Sequence, residues 1–277
     1  MQSKTGGGRL YVVATPLGNL GDLSPRAAQT LASVAVIAAE DTRHSRTLLT
    51  HHGIARPLLS LHEHNESERI PVLLDRLRSG QSLALISDAG TPLISDPGFP
   101  LVRAVRAAGL AIHPVPGPCA AIAALSVAGL ACERFCFEGF LPARPGPRRQ
   151  CLEALRAEPR TLVFYESGHR IEETLAAMVE VFGAEREGVL ARELTKLFET
   201  VLVGSLADIA ARVAADPDQR RGEFVLLVAG NAAADAARLA DGRRLYARLV
   251  EELPPSRAAR IAADLSGAPR KALYGGE

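Results

Sequence analysis

Short apolar runs recur along the first two thirds of the chain, and each ends in a turn rich in Gly, Pro, Asp or Asn. RLYVVA (9–14), VAVIAA (34–39), LLSL (58–61), LALI (83–86) and AIHPV (111–115) have the length and aliphatic content of buried strands. Between them lie helical segments, opened by Ser24-Pro25, by Asp41 or Thr42, by Ser67 with Glu68, and by Asp96-Pro97 for a helix over 99–108. Such alternation predicts a parallel sheet with helices on its faces. An Ala-rich helix then runs to about residue 128. A second set of runs follows at 135–140, 162–165, 188–191, 198–203 and 223–229, with helices reaching residue 182 and spanning 206–214. More of these strands are sequence neighbours, which predicts a mixed sheet. Beyond residue 231 the pattern is wholly helical: 238–253, 256–265 and 269–274, broken by Pro254-Pro255 and Gly267. The expected fold class is α/β. It comprises a disordered leader over 1–8, α/β domains over 9–118 and 119–231, and a helix-turn-helix-like tail over 235–277.

The turns carry the chemistry. The longest, SDAGTPLISDPG (87–98), follows the fourth run and has twelve residues. Turns between a strand and a helix usually need about 2–6. It sets backbone amides and short acceptors at the carboxyl edge of a parallel sheet, where open α/β sheets bind ligands. Other polar turns leave the same edge: TPLGNLGD (15–22), Glu40-Asp41-Thr42-Arg43, His62-Glu63-His64-Asn65 and PGPCA (116–120). Gly18 and Gly21 permit a tight turn or close approach to a ligand. The spaced-glycine dinucleotide fingerprint is missing. His62 and His64 lack a third ligand set with recognisable spacing, so no metal is expected. The alternative reading of all these turns is plain helix capping. LPARPGPRRQ (141–150) reads as a mobile basic loop, in which Arg144, Arg148 and Arg149 are either solvated or a phosphate-contacting lid.

Composition narrows the picture little. The 277 residues are 47% hydrophobic and 23% charged, with a net charge of +1, so any polyanion-binding surface is local. No apolar run approaches the ~20 residues that span a bilayer, and the expected location is cytoplasmic. Cys119, Cys132, Cys136 and Cys151 show no paired spacing and read as reduced, mostly buried thiols.

ATPLGNLGD, AEDTRHS, SDAGTPLISDPG, VPGPCA, FYESGHRI and RELTKLFE occur in this order and together resemble the tetrapyrrole-methylase fold family. Within it they are most similar to the bacterial branch that acts on small-subunit ribosomal RNA. Tetrapyrrole-acting members carry a Gly-Asp-Pro core where this chain reads Ser87-Asp88-Ala89-Gly90-Thr91-Pro92. The resemblance implies two α/β domains with S-adenosyl-L-methionine in the cleft between them, a homodimer, and 2′-O-methylation of a cytidine in 16S rRNA within the small ribosomal subunit. It implies cofactor contacts from Leu17, Gly18, Ser87, Asp88, Ala89, Gly90, Thr91, Gly117, Cys119, Ala120 and Glu166.

A ribose hydroxyl must lose its proton as it attacks, and a positioned base helps by roughly 10²–10⁴-fold. Asp41, Glu166 and Lys196 are the candidates, Lys196 only with a pKa lowered by burial or by Arg192. Arg192 and Lys196 otherwise read as interdomain salt-bridge partners of Glu193 or Glu199. Arg43, Asn65, His169, Arg170 and Arg192, with the 141–150 arginines, are the expected RNA contacts. Two other functions stay open: a small-molecule, tetrapyrrole-like methyltransferase, and a non-catalytic nucleic-acid-binding dimer.

Overall fold

The computed structural model describes residues 7–273, the side chains of 234 and 235 aside. Most of the expected leader lies outside these residues. Its last residue, Gly8, is instead buried and donates its N–H to Leu77 O at 2.7 Å.

The first sheet is built from β1 (Arg9–Val13), α1 (Pro25–Ser33), β2 (Val36–Ala39), α2 (Thr42–His51), β3 (Leu58–Ser60), α3 (Glu66–Arg78), β4 (Leu83–Ile86), α4 (Phe99–Ala107) and β5 (Ala111–Val115). Its strands run parallel in the order β3-β2-β4-β1-β5. Every residue of β2 and β4 is buried, as continuous apolar strands covered on both faces require. Ala27, Leu31, Leu48 and Leu49 of α1 and α2 pack with Ile37, Ala39, Ala84 and Ile86 on one face. Leu73, Leu77, Leu101 and Val105 of α3 and α4 pack with Leu10, Ala38, Leu83 and Leu85 on the other. The connection after β4 therefore leaves toward the opposite face from those after its neighbours β1 and β2. That reversal opens a crevice at the strand tips, the usual ligand position in such sheets.

The second sheet follows: α5 (Ala120–Ala128), β6 (Phe135–Phe140), α6 (Pro145–Leu155), β7 (Thr161–Ser167), α7 (Ile171–Phe182), β8 (Glu187–Arg192), β9 (Thr200–Ser205), α8 (Leu206–Ala215) and β10 (Glu223–Val228). The order is β6-β7-β10-β8-β9, parallel only between β6 and β7, so the sheet is mixed as expected. Alternate residues of β7 and β10 serve opposite faces. Leu162, Phe164, Leu226 and Val228 meet α6, α7 and α8. Val163, Val225 and Leu227 meet Ala121, Ala124 and Leu125 of α5. The strand expected over 198–203 starts two residues later, because Leu197 (89% exposed) and Phe198 (69%) stand out from a turn.

The basic stretch over 141–150 is not a mobile loop. Pro145 and Pro147 sit in the first turn of α6, where a missing N–H costs nothing, and Arg148 is buried inside. The tail consists of α9 (Ala232–Leu249), α10 (Pro255–Ser266) and a 3-10 turn, Arg270–Leu273, closed around Ala262, Ala268 and Leu273. The last residue of its expected third helix, Tyr274, lies outside the described residues. All four cysteines are free; Cys132 is exposed and the other three are half-buried, short of the burial expected.

Candidate active site

A cavity of about 350 Å³ lies between the two sheets. The first sheet supplies Leu17, Glu40, Asp88, Ala89, Gly90, Thr91 and Asp96 from the tips of β1, β2 and β4. Facing them are Cys119, Ala120, Tyr165, Glu166, Ala191, Lys196, Glu223 and Val225. A second, adjoining hollow shares Leu17, Asp88, Ala89, Lys196 and Glu223 and adds Gly18, His44 and Ser87.

The 87–98 turn is held in a conformation the backbone resists. Gly90 takes φ +77°, and Leu93 (+73°) and Ser95 (+69°) share the left-handed region without being glycine. Three ties hold it. Thr15 and Gly90 exchange backbone hydrogen bonds of 2.8 and 3.1 Å. Ser87 Oγ donates back to Ala89 O at 3.3 Å. The buried Glu66 accepts the Gly98 N–H at 2.7 Å. A Cβ on Gly90 would stand 3.1 Å from Leu17 Cδ2.

Of the expected cofactor residues, Leu17, Asp88, Ala89, Gly90, Thr91, Cys119, Ala120 and Glu166 line the main cavity. Gly18 and Ser87 line the adjoining hollow. Gly117 lies behind the wall, where a Cβ would stand 3.0 Å from Ala14 Cβ.

The three candidate bases are each committed elsewhere. Asp41 caps α2: its carboxylate accepts from Arg43 N and His44 N, which hold it below the usual carboxylate range. The buried Glu166 accepts from Ser167 N (2.9 Å), Ser167 Oγ (3.4 Å) and Thr174 Oγ1 (2.7 Å) and pairs with Arg170 Nε at 3.3 Å. Lys196 lies 2.9 Å from Glu193 and 2.8 Å from Glu223. Burial pushes its pKa down, but the two carboxylates more than offset this, so Lys196 stays charged rather than becoming a base. It forms salt bridges, with Glu193 and not Glu199, but within the second sheet rather than between domains as expected.

Most of the expected RNA-contact residues have partners within the chain. The Asn65 side chain accepts from His62 N and donates to Ser60 O, closing the turn after β3. Arg148 donates to Ala143 O (2.9 Å) and Glu173 (3.0 Å). Arg170 donates to Leu141 O (2.6 Å). The buried Arg192 donates to Arg221 O and Phe198 O rather than pairing with an acid. Arg149 is exposed but bridges Glu153 and Glu180. Arg43, Arg144 and His169 remain exposed.

The sequence reading passed over Glu40, Asp96 and Tyr165. Burial first, then the negative charges of Asp88, Asp96, Glu63 and Asp41, push Glu40 up to about 7. Burial also pushes Asp96 to about 6 against its bond from Ser87, with Asp88 adding repulsion. Tyr165 is raised by burial and by Cys119, and its hydroxyl oxygen accepts the Ala121 N–H at 3.1 Å. The available signal was position: Glu40 is the first residue past β2, and Asp96 lies inside the turn already singled out.

Residues 9–210 match the family Tetrapyrrole (Corrin/Porphyrin) Methylases, and residues 235–275 match the RsmI C-terminal HTH domain. The ribosomal RNA small subunit methyltransferase I of Xylella fastidiosa (strain Temecula1) is 62% identical, covering 97% of this chain and 98% of its own. The chain belongs to the ribosomal RNA small subunit methyltransferase I branch of the tetrapyrrole methylases. The Escherichia coli O157:H7 member of that branch is 52% identical, over 96% of this chain and 93% of its own. The fold is shared more widely. A uroporphyrin-III C-methyltransferase from Thermus thermophilus complexed with S-adenyl homocysteine aligns with TM-score 0.56 at 17% identity, covering 80% of this chain and 97% of its own.

Proposed function

We propose that this protein transfers a methyl group from S-adenosylmethionine to the 2′-hydroxyl of a cytidine ribose in 16S ribosomal RNA. The observation that carries the reading is 62% identity over nearly the full length to a protein named for small-subunit ribosomal RNA methylation. The cavity fits the donor. Leu17, Ala120, Ala191 and Val225 give apolar walls for adenine and thioether, and Gly90 brings bare backbone to the surface. Glu40, Asp88 and Asp96 face that wall as acids, complementary to a sulfonium and an ammonium. At about 350 Å³ the space lies within the roughly 300–1,000 Å³ of small-molecule sites.

S-adenosylmethionine supplies a methyl carbon already activated by positive sulfur. The residues of this chain therefore contribute mainly orientation, of the order of 7–11 kcal/mol in well-aligned reactions. The 87–98 turn holds one end of the ligand, and Glu166, fixed by its four partners, shapes the opposite wall. The acids on the 87–98 side attract the sulfonium cation and give no comparable attraction to a neutral thioether sulfur.

RNA is held outside this cavity. The exposed Arg43, Arg144 and His169 and the helical tail are the surfaces available for phosphate contact. Action on the small ribosomal subunit in the cytoplasm as a homodimer belongs to the same reading. Exposed Leu197 and Phe198, with Val201 and Val203 on the edge strand β9, support self-association. Among the described residues no helix is long and apolar enough to cross a membrane.

The test is to incubate the protein with methyl-labelled S-adenosylmethionine and either assembled 30S subunits or naked 16S RNA, then map the label. Label on a cytidine ribose is expected. Label on a base, or none on RNA, overturns the reading.

A further inference from the structure

We propose that the Glu40 carboxylate is the proton acceptor for the attacking ribose hydroxyl. The proposal rests on the ribose-methylation reading and adds the one group it lacks. Glu40 sits at the tip of β2 on the wall of the main cavity, with Asp88 and Asp96 beside it. Four other carboxylates share that cavity, and each is occupied. Asp88 accepts the Asp41 N–H at 3.1 Å, and Asp96 shares the Ser87 hydroxyl with Ala89 O. Glu166 has three donors and Arg170, while Glu223 accepts from Lys196 Nζ at 2.8 Å. Of the five carboxylates lining this cavity, that of Glu40 alone has neither a hydrogen-bond donor nor an ion-pair partner among the described residues, so its lone pairs are free for an incoming hydroxyl.

Its charged surroundings tune it to the task. Asp88, Asp96, Glu63 and Asp41 all repel its negative charge, and burial adds to this, bringing the group to about 7. The Lys196 ammonium across the cavity is balanced by Glu193 and Glu223. A base matched to neutral pH combines a useful ionised fraction with proton affinity. A cationic donor in the same cavity stabilises ionised Glu40, and a neutral thioether product does not. Glu40 thus gives up its proton as the donor loads and holds one after transfer.

In the step itself the hydroxyl proton passes to a Glu40 oxygen as the ribose oxygen forms its bond to the methyl carbon. The carbon–sulfur bond breaks, and its electron pair stays on sulfur as a neutral thioether. Glu40 then releases the proton to water.

One experiment reads this without turnover. S-adenosylmethionine and S-adenosylhomocysteine are titrated calorimetrically into the protein near neutral pH, in two buffers of different ionisation heat. The sulfonium ligand should release up to roughly half a proton more than the thioether, since Glu40 is about half protonated there. Glu40→Gln should still bind both ligands and abolish the difference. Its single-turnover transfer rate should fall by about 10²–10⁴-fold, with loss of the acid limb of the rate–pH profile. Glu40→Asp should retain a limb at a lower rate, and Asp41→Asn, which still caps α2 but removes the smallest of the repelling charges, should keep an acid limb moved slightly to lower pH. Equal proton release in wild type and Glu40→Gln, or a Glu40→Gln rate and profile like wild type, overturns the assignment of Glu40 alone. Wild-type protein that labels no ribose overturns the parent reading, and the role of Glu40 with it.

Discussion

Arg148 shows how a charge reads differently in sequence and in space. In the string LPARPGPRRQ it is one of three unopposed arginines, the signature of a phosphate-binding loop. In the fold its side chain is 2% exposed, and its guanidinium spans two carbonyls at the entry to α6 and Glu173 of α7. Glu173 itself is largely solvated, so removing the arginine strands carbonyls and opens a void but leaves no buried acid unpaired. Arg148→Ala should therefore cost about 2–4 kcal/mol of stability, as loss of a large buried side chain does. Urea denaturation reads this directly. The slope of RNA affinity against salt should stay as in wild type, because no phosphate contact is lost. Glu166 and Lys196 follow the same logic, since their charges are consumed by Arg170 and Thr174, and by Glu193 and Glu223.

Whole elements were more legible than side-chain roles. β4, buried on both faces, lies where its apolar run places it, and so do the partly exposed edge strands β5 and β6, which the turn formers Pro116-Gly117 and Pro142 close. The errors share a cause. α6 was hidden because Pro145 and Pro147 signal a loop, although a first helical turn tolerates both. The start of β9 was misjudged because Leu197 and Phe198 are apolar yet exposed, and hydrophobicity alone cannot show which side of the surface a residue meets. The turn that lines the cavity was legible because it is long and rich in the turn formers Gly, Pro, Asp and Ser. The base was not, because Asp41 and Glu40 are adjacent acids and only the helix cap separates their fates. The turn offers its own prediction. Gly90 sits at φ +77° with Leu17 Cδ2 where a side chain would go. Gly90→Ala should cost about 1–3 kcal/mol through backbone strain. S-adenosylmethionine affinity should fall with it, which calorimetry checks, while far-ultraviolet dichroism stays unchanged.

At the scale of the whole molecule, the site exists only if the two sheets stay at one separation. Gly18, from the turn after β1, lies under the aliphatic stem of Lys196, from the turn after β8; a Cβ there would collide with Lys196 Cγ. A lysine stem normally yields to such a clash. Here it cannot swing freely, because its ammonium is clamped by Glu193 on one side and Glu223 on the other. Glu193 (φ +50°) and Thr195 (φ +67°) already hold that turn in left-handed backbone, leaving little slack. The strain from a side chain at position 18 thus falls on the separation of the sheets, and both hollows share Leu17 and Lys196 as walls. Gly18→Val should therefore weaken donor binding by loosening both walls together, with each sheet intact. The signature is a larger radius of gyration in solution scattering and a weaker donor Kd, with unchanged dichroism. Adding Lys196→Ala removes the obstructing stem and should restore the wild-type radius.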